Sequence, residues 1–392
     1  MRSHTSILSG APALGPLIMW VMTPPPEKTL TYEQSGVAYD LIDPLKVSAQ
    51  QAAAATAANL HAHGMVEVTA SRGESAYVVD VGPFYLASIV ECLGTKSLVA
   101  DEMYRLTGRG RFDDLAQDTL AMAINDLITV GATPLVVQAY WAAGGSEWFR
   151  DVQRSGLLVQ GWLRACNACG VAWGGGETPA LAGIVESGRI DLAASCTGLI
   201  APKSRLSLGE QLSPGDAIVL LQASGIHANG LSLARRLAQE LPDGYLTLLD
   251  SGTDFGSALL APTVLYSPVT EALHQAGVPI HYAANITGHG WRKLLRHPRA
   301  LTYRIHQLPP VPEVLSFIQR HARMDDEEAY GTLNMGAGFA LFVAAHDVDR
   351  TLQAAHSVGV GAWLAGEVES GPKELIVEPL GVRFSGQSLQ LR

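Results

Sequence analysis

The sequence predicts an α+β protein built in two halves, on three observations. The chain has 392 residues, whereas single hydrophobic cores stop growing at roughly 250–300 residues. Strand-like and helix-like segments are mixed in both halves without strict strand–helix–strand alternation, which disfavours a doubly wound parallel sheet. Between the halves, APKSRLSLGEQLSPGD (201–216) is polar and proline-containing and reads as a linker near 202–215. These boundaries predict a leader over 1–28, an N-terminal domain over 29–202 and a C-terminal domain over 203–392.

The elements follow in order. Residues 5–22, TSILSGAPALGPLIMWVM, are apolar but broken by two prolines and two glycines, and they fall short of the ~20 residues that span a bilayer. A signal peptide with Arg2 as its charged region fits in outline. A working start at Met22 fits better, because MTPPPEKT reads as a disordered lead-in. No other segment reads as membrane-crossing.

The alanine-rich stretch 46–63 predicts a helix, AYVVDV and YLASIV within 76–90 predict strands, and 113–130 predicts a helix. A strand at 135–141, a helix at 152–170 and a strand at 190–200 complete the first half. The second half reads as strand AIVLLQAS, helices NGLSLARRLAQEL and SPVTEALHQAG, strands ALTYRIH and GFALFVAA, helix DVDRTLQAAHSVG, and strands WLAGEVE and ELIVEPL.

Composition excludes some functions. The chain is 47% hydrophobic and 16% charged, with 40 glycines, which suits a globular enzyme and not a disordered segment. Lysine and arginine number 27 against 37 acidic residues, a net charge of −10, so nucleic acid is not an expected partner. The four cysteines, Cys92, Cys166, Cys169 and Cys196, have no disulfide-framework spacing and suit a reducing cytoplasm. The CNAC pair lies in a helix-like stretch with no second ligand pair and reads as two small buried hydrophobes.

Four stretches carry chemistry. In FDDLAQDTLAMAINDLITVGA (112–132), Asp118 and Asn125 nearly superimpose on one helix face, with Asp126 about 80° further round. The surrounding residues are apolar, so a buried carboxylate there needs either a cation from the fold or a metal or substrate. In WGGGETP (173–179), glycines let backbone N–H groups approach a ligand and deliver Glu177, an oxygen ligand of the kind Mg²⁺ takes. In ASGIHANG (223–230), a small-residue turn before a helix presents Ser224, His227 and Asn229. A hydrolase triad of Ser224, His227 and Asp216 is the weaker reading there, because no G-x-S-x-G elbow exists. VECLGTKS (90–97) resembles the tail of a phosphate loop, yet no G-x-x-x-x-G-K-[ST] and no G-x-G-x-x-G after a strand occurs.

The order LGTKS, AINDLITVGATPL, GGGETPAL, SGIHANGLSLAR, LLAPTVLYSPV, ANITGHGW and EEAYGTLNMGAGF resembles the AIR synthase family, the phosphoribosylformylglycinamidine cyclo-ligases or PurM, as a divergent member, from about Tyr32 to the C-terminus. Superfamily relatives include thiamine-monophosphate kinase, selenide dikinase and the hydrogenase maturation factor. The resemblance implies a two-domain PurM-like fold: an N-terminal mixed-sheet domain that dimerises and a C-terminal α/β sandwich domain. It also implies ATP and Mg²⁺ in a cleft lined by both halves, where formylglycinamidine ribonucleotide is closed to aminoimidazole ribonucleotide through a phosphorylated imidate.

Carried over by motif, Glu91, Asp126 and Glu177 are the implied metal ligands, with Asp118 as a fourth candidate. Lys96 would neutralise phosphate, and His227, Lys96 and Asp118 are the implied catalytic residues. Gly94, Thr95, Asn125, Gly175, Gly176, Thr178, Ser224, Asn229, Thr287, Gly288 and Asn334 are the implied substrate and ATP contacts. The implied partners are the ribonucleotide, ATP and a second copy of the chain, with no nucleic acid and no membrane, in the cytoplasm.

The sequence departs from the family pattern in four places. The glycine-rich loop ahead of the first aspartate is replaced by VTASRGESAYVVDVGPFYLAS, and Glu91 stands where the family has aspartate. His289 stands where I-T-G-G-G has its second glycine, and Ala38 replaces an N-terminal aspartate while Asp40 keeps the next one. A paralogue acting on another small molecule and a silent binding subunit are the alternative expectations.

Overall fold

The computed structural model describes residues 39–389; the expected leader over 1–28 and Ala38 lie outside them. The first sheet holds β1 (Val66–Glu67), β2 (Tyr77–Asp80), β3 (Tyr85–Cys92), β4 (Thr133–Ala143), β5 (Ala172–Glu177) and β6 (Ile190–Ile200). Its order is β1-β2-β3-β6-β4-β5, antiparallel except where β5 joins β4. The second sheet holds β7 (Asp216–Gln222), β8 (Tyr282–Asn285), β9 (Leu301–Ile305), β10 (Ala337–Ala344), β11 (Ala362–Ser370), β12 (Glu374–Val377) and β13 (Val382–Ser385). Its order is β13-β12-β9-β11-β7-β10-β8, parallel only between β12 and β9. The first sheet ends at Ile200 and the second starts at Asp216; among the described residues no strand joins the two.

The helices are α1 (Tyr39–Ala54), α2 (Lys96–Thr107), α3 (Phe112–Leu127), α4 (Glu147–Arg150), α5 (Val152–Cys169), α6 (Leu231–Glu240), α7 (Phe255–Leu259), α8 (Ser267–Gln275), α9 (Glu313–Ala322), α10 (Asp326–Thr332) and α11 (Val348–Ser357). No described helix is long and apolar enough to cross a membrane.

Helix α3 positions the site. It packs on β3 and β6 and against α5, burying Leu115, Leu120, Ala121, Ile124 and Leu127. Gly161 sets the closeness of that crossing, since a Cβ there would lie 2.2 Å from the Asp113 carbonyl oxygen. The opposite face of the sheet is open: Ser88, Val90 and Cys92 on β3 and Leu135 and Gln138 on β4 are exposed, Val90 by 71%.

A polar seam on α3 receives a loop from the second half. Gln117 donates to the Thr263 carbonyl at 2.8 Å, Asn125 donates to Val264 O at 2.8 Å, and the Tyr266 N–H donates to Asn125 Oδ1 at 3.0 Å. These bonds satisfy backbone groups of a loop that makes no sheet of its own, which is what buried irregular chain requires. Helices α2, α4, α7, α9 and α10 and strands β1, β5, β8 and β13 were not expected from the sequence. Strand β8 is YAAN, poor in the residues that favour strands, and it is held between β10 and the body of the protein by burial.

Candidate functional site

A cavity of about 410 Å³ lies where the two halves meet. From the first half, β3 presents Glu91, α3 presents Asp126 and α1 presents Lys46. From the second, the turn before α6 presents Asn229, and the turn after β8 presents Thr287, Gly288 and His289. Lys293, in the 3-10 helix Gly290–Leu295, and Arg296 just beyond it complete the wall.

The electrostatics follow from crowding of charge. Burial, together with the charge of Asp126, pushes the Glu91 carboxyl up to about 7, against the pull of Lys293, Arg296 and Lys46. Asp126 is nearly buried, and its Oδ1 accepts a bond from Asn285 Nδ2 at 2.7 Å. Burial, together with Arg296, pushes the Lys293 ammonium down to about 8, while Asp126 and Glu91 oppose the shift. Arg296 ties the halves together: its Nε donates to Gly73 O at 3.1 Å, its Nη1 donates to the Ser75 hydroxyl, and Glu74 Oε2 lies 3.9 Å from Nε. His289 holds a left-handed φ of 72°, a conformation glycine adopts at less cost, and this explains why a glycine motif fits this turn.

Several expected residues meet each other instead of the cavity. Lys96 and Asp118 form an ion pair at 2.8 Å with both side chains fully buried. Lys96 also donates to Ala261 O at 2.8 Å, and Asp118 Oδ1 accepts from the Thr263 N–H at 2.7 Å and from its hydroxyl. Burial lowers the Lys96 ammonium while Asp118 opposes the shift. Of the two sequence-level explanations for the Asp118 carboxylate, the cation from the fold is the one observed. Lys96 and Asp118 line no part of the cavity, so their expected phosphate and catalytic roles do not match this geometry.

His227 is buried beside them. It adopts φ 60° and accepts the Ser224 N–H on Nε2 at 3.2 Å. Burial, aided by the Lys96 charge, pushes it down to about 3. Ser224 Oγ donates to Pro262 O at 2.5 Å, and Asp216 meets His281 at 2.9 Å, so the three residues make no triad. Asn334 braces the same turn, donating to Gly225 O at 2.8 Å and accepting from the Gly336 N–H at 3.0 Å. Thr95 Oγ1 lies 3.4 Å from Ser232 Oγ, next to an exposed Gly94. Asn125 is spent on the loop seam.

Gly175, Gly176, Glu177 and Thr178 lie on or just past β5, an exposed strand at the sheet edge, and outside the cavity. The expected Mg²⁺ set of Glu91, Asp126 and Glu177 is therefore not assembled. Among the described residues no group of three or more His, Cys, Asp or Glu is placed to hold a metal ion. This donor set does not fit a resident metal centre. Cys166 is buried and Cys169 half-buried, and burial pushes both CNAC thiols up to about 11, away from the reactive thiolate form.

Sequence reasoning missed Lys46, Glu74, Lys293 and Arg296. A signal for two of them existed: Arg292, Lys293 and Arg296 cluster directly after a glycine turn in an acidic chain.

The family model described as AIR synthase related protein, N-terminal domain, matches residues 73–200, and its C-terminal counterpart matches 213–378. The phosphoribosylformylglycinamidine cyclo-ligase of Methanothermobacter thermautotrophicus is 34% identical over 87% of this chain and 96% of its own length. That of Carboxydothermus hydrogenoformans is 32% identical over 77% of this chain and 86% of its own. Among solved structures, Thermotoga maritima PurL complexed with FGAR aligns at TM-score 0.54 and 16% identity over 80% of this chain, which spans only 47% of PurL. The structure titled HypE-HypF complex aligns at TM-score 0.55 and 17% identity, over 80% of this chain and 92% of that one. These two show a shared fold.

Proposed function

This chain belongs to the AIR synthase family, and on that premise we infer that it closes the imidazole ring of purine synthesis. The substrate is formylglycinamidine ribonucleotide, and the products are aminoimidazole ribonucleotide, ADP and phosphate. The observation that carries this reading is the 34% identity over 96% of a cyclo-ligase's length.

The formyl oxygen takes the terminal phosphoryl group of ATP, so an O–P bond forms as ADP leaves. The amidine nitrogen then attacks the activated carbon, and phosphate departs with the former formyl oxygen. Such chemistry needs positioning and charge matching more than covalent help from the protein. The cavity is of mixed charge: Glu91 and Asp126 suit the N–H donors of the basic amidine, and Lys46, Lys293 and Arg296 suit phosphates. Thr287, Gly288 and Asn229 share the same wall and are proposed substrate contacts. Magnesium belongs to this reading as the ordinary counterion of the ATP phosphates, whose charge it neutralises when bound.

The chain is proposed to divide at 202/203 and to pair with a second copy through the open face of the first sheet, where Val90 and Leu135 are exposed. The free cysteines support a reducing compartment, the cytoplasm.

Incubation with the formylglycinamidine substrate and ATP tests the activity. Equal amounts of ADP and aminoimidazole ribonucleotide are expected. ADP formed with another acceptor and without the imidazole would favour a paralogue, the reading that His289 and Glu91 support. No nucleotide turnover of any kind would overturn both.

A further inference from the structure

We propose that Lys293 is the lysine of this cavity that meets a substrate phosphate, the role the G-T-K spacing offers to Lys96. The proposal rests on the ATP-dependent reading above. Lys96 is fully enclosed, and its ammonium is taken by Asp118 and the Ala261 carbonyl. Lys293 lines the cavity on the same wall as Thr287 and Gly288. Among the described residues no carboxylate lies within ion-pair distance of its ammonium, and no hydrogen bond of the structure uses its donors.

The neighbouring cations are placed differently. Arg296 gives Nε to Gly73 O and one Nη to the Ser75 hydroxyl, which fixes the loop of the first half against the second and holds the guanidinium in place. Lys46 comes from an exposed position on α1. Lys293 is thus a cation at the cavity wall whose donors the fold leaves uncommitted. A compact ammonium with three donors suits a phosphate oxygen as a point charge. Glu91 and Asp126 share the cavity with Lys293, so the ammonium also balances them when no anion is bound.

The test is steady-state kinetics of the full chain and of Lys293→Met and Lys293→Arg, with ATP and the ribonucleotide varied separately. Loss of one charged hydrogen bond is expected to raise one KM roughly 10- to 100-fold, with melting temperature unchanged and most of the loss recovered by arginine. A rise in the ATP KM assigns Lys293 to the nucleotide phosphates, and a rise in the ribonucleotide KM assigns it to that substrate's phosphate. Both KM values unchanged in Lys293→Met would overturn the proposal. If the wild-type chain turns over neither substrate, the functional reading fails first. Calorimetric binding of tripolyphosphate then decides alone: weaker binding to Lys293→Met than to wild type supports Lys293 as the phosphate lysine, and equal binding refutes it.

Discussion

Helix α3 carries an aspartate into each of two lysine–carboxylate sets, and the sets differ in what encloses them. Asp118 is closed off by protein, paired with Lys96 and bonded by Thr263. Asp126 opens onto a cavity with Glu91 and Lys293 around it. The first set has every charge met by a group of the fold, and the second holds charge that the fold leaves for a ligand. The same residue types eight positions apart on one helix are therefore a fastener in one place and a site in the other.

The sharpest way to break this contrast is to remove the buried cation. Lys96→Met strands a buried carboxylate, so unfolding free energy in urea should drop by about 3–5 kcal/mol. A drop below about 1 kcal/mol would mean that Lys96 is not a structural cation. The opposite behaviour is expected of Glu91→Gln. It relieves repulsion from Asp126 and should leave stability within about 0.5 kcal/mol, while kcat/KM falls about 100-fold, or about 2.7 kcal/mol of transition-state stabilisation.

A smaller effect comes from His227. Its folded pKa of about 3 lies below its ordinary 6.5, so the unfolded chain takes up the proton first. The stability this neutral ring contributes is fully present above pH 6.5 and is lost as pH falls toward 3, by up to about 1.4 kcal/mol per pH unit. Denaturation at pH 7.5 and 5.5 should show that slope in the wild-type chain and a shallower one in His227→Gln. Equal slopes would show that His227 is not held neutral.

Much of the fold was legible because the apolar runs AIVLLQAS and GFALFVAA form strands buried on both faces, and YLASIV forms a strand with one face on the core. The site was half legible. Motif spacing led to Glu91, Asp126, Asn229, Thr287 and Gly288, all of which line the cavity. It could not separate Lys96 from Lys293, since a lysine's charge is the same in a buried pair and at a cavity wall, and only tertiary packing decides which it joins. Glu177 shows the converse: glycines that look like a ligand loop form an exposed edge strand. Helix α2 was hidden because its first turn, KSLV, continues directly from a stretch that reads as a phosphate turn.

The most direct measurement sets Asp118→Asn beside Asp126→Asn in one stability assay and one turnover assay. Asp118→Asn should lower unfolding free energy by about 3 kcal/mol yet keep kcat/KM of the folded protein within a few-fold of wild type. Asp126→Asn should melt like wild type and lose roughly 100-fold in kcat/KM. A stable but inactive Asp118→Asn together with an active Asp126→Asn would contradict the division between fastener and site.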